Sequence, residues 1–160
     1  MLVQIIVFLI VMGFIFWICS AIFGGGGGAS DQQKASMLEA AVRADFPTRA
    51  KQLLTEEFPD HASYVTTGLL TECLSNQFVR IQQVTGASDF LGAMKKAQRM
   101  SKAQIEAEDA NMVRTFFNSM PTEFCEHVNA SEGERYPKFR RAIQGALETS
   151  GSNALLSLPK

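Results

Sequence analysis

No charged side chain occurs before Asp31, and all 31 acidic and basic side chains follow from there. From Leu2 to Phe23 only Gln4, Gly13 and Ser20 interrupt an apolar run. A chain divided so sharply has two solvents, and this constrains its folding more than any motif does. As a helix, 22 residues span roughly 33 Å, enough for a hydrocarbon core of about 30 Å. Trp17 lies near the far end, where an amphipathic ring suits the headgroup level. The stretch therefore predicts a single transmembrane anchor over residues 1–23, with the lipid bilayer as partner through residues 2–23.

A cleavable secretory signal is the competing reading. It calls for a basic n-region, a shorter apolar core and a small-residue cleavage site. Only Gly27, Gly28 and Ala29 meet these requirements, because nothing basic precedes the run. Bulky Phe16, Trp17 and Ile18 before Cys19 argue against a lipoprotein signal. Lys34 and Arg43 follow the run while its other side has no basic residue, which favours the later part of the chain on the cytoplasmic side of a membrane. The triplet Asn129-Ala130-Ser131 has the form of a glycosylation sequon, which matters only in a eukaryotic lumen.

Five consecutive glycines, Gly24 to Gly28, resist helix and sheet alike. Residues 24–34 read as a flexible linker, with a reach of about 16 Å over the glycine-rich part. A nucleotide-binding glycine loop is the weakest reading: the spacing lacks Gly-x-Gly-x-x-Gly and Gly-Lys-Ser/Thr, and no strand precedes it.

Beyond the linker, apolar residues recur at three and four, with no sustained alternation and no Asn-Gly or Asp-Gly hairpin turn. The expected fold is all-α: a small bundle or array of about 5–7 helices over residues 35–151, then a tail over 152–160. A first helix starts near Ser36 and stops at Phe46-Pro47, and a second buries Ala50, Leu53, Leu54 and Phe58. A third, capped by Asp60, turns Tyr64, Val65, Leu70, Cys73, Leu74, Phe78, Ile81 and Val84 inward and ends at Gly86. Ser88 caps a fourth. Ser101-Lys102-Ala103-Gln104 is a capping box that either opens a new helix or lies within one spanning 88–120. Thr122 caps a short segment, 131–134 is a loop, and a last helix runs from near Pro137 to Gly151.

Formal net charge is −1, so no bulk attraction to nucleic acid is expected. Three cysteines are too few and too irregular for a disulfide framework or a zinc site, and Cys73 and Cys125 read as free thiols or one pair. No nucleophile elbow or other catalytic constellation is present, and no cofactor is implied. The densest cluster is Thr122 to His127, where Glu123 and His127 would sit one helical turn apart and could share a metal. Two ligands do not complete such a site. Two basic groups suggest an interaction surface: Lys95, Lys96, Arg99 and Lys102, and then Arg135, Tyr136, Lys138, Arg140 and Arg141.

Together these features predict a membrane-anchored helical module that binds protein partners, as an adaptor or accessory subunit of a membrane complex. An exported helical enzyme or a ligand- or metal-binding bundle is one alternative, and a peripheral binder of anionic lipid is another.

Overall fold

Ser30 opens the first helix by accepting a hydrogen bond from the Gln33 N–H at 3.2 Å, which satisfies one otherwise orphaned donor. The computed structural model describes residues 30–129 and 135–158. Six α-helices and one 3₁₀ turn follow among them: α1 (Asp31–Glu57), the turn (Ala62–Tyr64), α2 (Thr67–Thr85), α3 (Phe90–Ala97), α4 (Lys102–Asn118), α5 (Thr122–Asn129) and α6 (Arg135–Leu156). The fold is an all-α bundle.

α1 is one helix of 27 residues with Pro47 inside it, where a break at Phe46-Pro47 was expected. Proline removes one backbone bond and crowds the preceding turn, at about 3 kcal/mol. The stripe Leu38, Val42, Phe46, Ala50, Leu54 is buried on both sides of Pro47. Keeping it continuous outweighs the local penalty. The helix also begins earlier than expected, so Asp31 to Lys34 form its first turn and are not linker.

Other boundaries follow their caps. Asp60 does not start a helix: Thr66 caps α2, accepting from the Leu69 N–H at 3.1 Å. Gly86 ends α2 at φ 60°, in the left-handed region that glycine enters at no steric cost. Asp89, not Ser88, caps α3, its carboxylate accepting from the Gly92 N–H at 2.7 Å. The Ser101 capping box is fully formed with Gln104, so α3 and α4 are separate helices. Gly151 does not stop α6, which continues to Leu156.

Consecutive long helices run antiparallel. Asp45 meets Ser150 while Glu57 meets Lys138, which fixes α1 against α6. Arg43 reaches Ser75 while Lys51 donates to the Ala62 and Val65 carbonyls, aligning α1 with the chain entering α2. Asp109 meets Gln144 and Phe117 meets Tyr136 between α4 and α6. Ala142, Ala146, Ser150 and Ala154 recur every fourth residue along α6 and are buried, which lets α6 pack closely in the bundle. Aromatic edges fill the centre: Phe46 with Phe116 at 5.6 Å, Phe58 with Phe124 at 5.4 Å, and Phe117 with Phe139 at 5.4 Å.

No helix among the described residues is long and apolar enough to cross a membrane. This corrects the expectation of a single-pass anchor, and with it the bilayer as partner and the membrane localisation. The segment assigned to the anchor, residues 2–23, lies outside the described residues, as do Gly24 to Gly28, the 131–134 loop and most of the sequon.

Candidate functional site

The chain has two histidines, and the fold stacks one on the other. His61 lies between the end of α1 and the 3₁₀ turn, and His127 lies in the last turn of α5. Their rings are 3.4 Å apart and within 8° of parallel. Phe58 presents its edge to His127 at 6.2 Å, and Tyr64 tilts toward His61 at 6.3 Å. The turn that carries His61 is pinned by Lys51 of α1, whose ammonium donates to the carbonyls of Ala62 and Val65.

Arg135, the first residue of α6, donates through one nitrogen to the His127 carbonyl and lies 3.0 Å from His127 Nδ1. A guanidinium can only donate, so Nδ1 accepts and the imidazole proton sits on Nε2. Arg135 thereby caps the carboxyl end of α5, where a cation is favoured. His61 Nδ1 is buried without a hydrogen-bond partner among the described residues. Partial burial, the neighbouring Arg135 cation and the stacked His61 together hold His127 below the usual imidazole range, against an opposing pull from Asp60. Two cations 3.4 Å apart repel by roughly 1 kcal/mol if fully solvated and about 5 kcal/mol at an effective dielectric of 20. Stacking therefore disfavours a charge on both rings at once.

The helical spacing puts Glu123 and His127 one turn apart on α5, but the structure gives His127 other partners. Its Nδ1 faces Arg135, and its ring plane parallels that of His61, so in-plane lone pairs on the two rings do not converge on one point. Among the described residues no group of three or more His, Cys, Asp or Glu is arranged to hold a metal ion.

The two basic groups have different fates. In the later one, Arg135 is held by His127, Tyr136 packs on Phe117 and Phe139, Lys138 approaches Glu57 at 4.0 Å and Arg140 approaches Asp109 at 3.4 Å. Of this group Arg141 alone is fully exposed. The earlier group gathers at a corner. The Lys96 ammonium donates to the Gly86 carbonyl at 2.7 Å, drawing the end of α3 onto the end of α2. Lys95, Lys96, Arg99 and Lys102 are all exposed there, and Asp89 is the one acidic residue between Gly86 and Lys102. Lys102 and the Arg135 to Tyr136 region lie toward opposite ends of α4, roughly 20 Å apart along its axis.

That corner has an apolar component as well. Leu70, Leu74, Gln77, Ile81 and Val84 alternate spacings of four and three on α2, a single inward seam by sequence. The first three are buried, but Ile81 is 39% exposed and Val84 49%. This corrects the expectation that both face the core, and Tyr64, also expected inward, is exposed. The apolar line of α2 thus leaves the packed interior beyond Gln77, although Phe78 beside it stays buried. Cys73 is buried and Cys125 half-buried, both as free thiols, and burial pushes both up from the usual range.

A second polar cluster joins α4 to α6. Gln144, itself buried, donates to Asp109 at 2.6 Å beside Arg140, and Glu148 lies within electrostatic reach. Burial raises Asp109 above the ordinary carboxylate range despite Arg140 and Gln144. Burial and the Asp109 charge raise Glu148. No family model, curated protein or solved structure matches this chain.

Proposed function

We propose that this helical domain is a non-catalytic binding module whose contact face is the corner formed by the end of α2, α3 and the start of α4. One observation carries the reading: Ile81 and Val84 on the apolar line of α2 are exposed, and Lys96 of the basic group reaches the Gly86 carbonyl two residues beyond Val84. Apolar side chains at heptad spacing receive the apolar face of another helix. A basic rim selects a partner of opposite charge and speeds its approach. The fitting partner is an acidic amphipathic helix from another protein, with apolar residues at three and four and carboxylates flanking them.

The test uses two synthetic helical peptides of equal hydrophobicity, one with acidic flanks and one with lysine flanks. The acidic peptide is expected to shift the Ile81 and Val84 methyl resonances, with affinity falling as salt rises. Combined Ile81→Ser and Val84→Ser changes, or Arg99→Glu with Lys96→Glu, are expected to weaken it about tenfold or more. Equal binding of the two peptides, or shifts confined to other helices, would count against this face.

A further inference from the structure

We propose that the stacked His61 and His127 rings, with Arg135 seated on His127, form an acid-released latch that holds α5 to the 3₁₀ turn and to α6 at neutral pH. The inference is independent of the binding corner, which lies toward the other end of α1. It rests first on geometry. The rings lie 3.4 Å apart and nearly parallel, and the only acceptor nitrogen of His127 is engaged by a permanent cation at 3.0 Å. A proton arriving at that nitrogen must displace Arg135, which also releases the His127 carbonyl at the end of α5. His61 Nδ1 is buried with no hydrogen-bond partner among the described residues, so no hydrogen bond at that atom holds the His61 ring. Loss of the Arg135 contact frees the His127 ring from the stack.

The surrounding charges set the direction. Arg135 opposes a charge on His127, as does the facing His61, and Asp60 favours it. Tyr64 borders His61 from the turn, and the Glu57 to Lys138 contact lies at the adjoining ends of α1 and α6. Glu123 and Glu126 of α5 are exposed. Because His127 is held below the usual imidazole range, the folded state binds this proton less readily than the unfolded chain. Stability from the latch is therefore present above about pH 6.5 and lost as pH falls through that value toward the folded-state pKa. Phe58 and Phe124, in contact at 5.4 Å, and Phe124 with Phe139 at 5.9 Å do not titrate. They keep α5 attached, so acid loosens one end of the bundle without dissolving it.

The full chain tests this by two readouts on the same sample, the ring resonances of the two histidines and amide hydrogen exchange, followed from about pH 7.5 to about pH 5. We expect His127 to take up its proton below the usual imidazole range. Exchange at residues 61–66 and 123–129 should accelerate about tenfold after correction for the intrinsic rate, while the centres of α1, α2 and α4 stay protected. His61→Gln should raise the His127 midpoint, because the facing ring opposes its charge, and reduce the local acceleration. A His127 midpoint in the usual imidazole range, or acceleration spread evenly over the bundle, would overturn the latch. Should His61→Gln fail to fold, the unaltered chain still decides through the two readouts together.

Discussion

Single side chains in this bundle are governed by what their neighbours leave unmet. Ser150 is fully buried and donates its hydroxyl to Asp45 at 2.8 Å, tying α6 to α1. Ser150→Ala should cost about 1 kcal/mol by chemical denaturation, and Ser150→Leu about 1–3 kcal/mol more, since a larger side chain would enter a fully buried position. Glu148 gives a test of opposite sign. Its folded-state pKa is raised, so the stability it contributes is present below the ordinary carboxylate range and lost as pH rises through the folded value. Glu148→Gln should therefore stabilise the protein at pH 7. That gain should shrink toward zero near pH 4, and a gain independent of pH would show that desolvation of this carboxylate is not the cause. None of these partnerships was legible in the sequence. Asp45 and Ser150 are separated by 105 positions, and only the antiparallel pairing of two helices brings them together.

At the scale of the element, the sequence was legible wherever a local rule stood unopposed. Gly86 ends α2 as glycine ends helices, and Ser101 with Gln104 opens α4 as a capping box should. Pro47 shows the limit of such rules. Read locally it divides α1, but the apolar stripe on either side packs as one surface and the helix passes through. Pro47→Ala should restore a backbone bond and raise stability by about 1 kcal/mol, net of the greater freedom of the unfolded chain. Gly86→Ala should lower it by about 1–2 kcal/mol, because an L side chain is strained at φ 60°. The heptad line of α2 shows a different limit. Its spacing marks Ile81 and Val84 as inward, and spacing carries no information about which neighbours cover each position.

For the whole molecule, the antiparallel course of α1 sorts its features to two ends. The histidine pair lies where α1 finishes, beside Phe58 and the start of α6. The basic, apolar corner lies with the end of α2, which returns toward the start of α1. Changes at His61 and at Val84 should therefore add in denaturation experiments to within about 0.5 kcal/mol, and a larger departure would reveal a coupling that the contacts do not show. The sequence anticipated the all-helical class but not the histidine stack, because residues 66 positions apart meet only after the bundle has closed. The pairing of α1 with α6 also decides how the molecule can be wired. Leu158, the last described residue, follows α6 back toward the end of the bundle where α2 and α3 meet. An acidic peptide fused to the carboxyl terminus by a short flexible linker would reach the corner as an intramolecular ligand, at an effective concentration in the millimolar range. The same peptide fused near the histidines would have to span the length of α1 first.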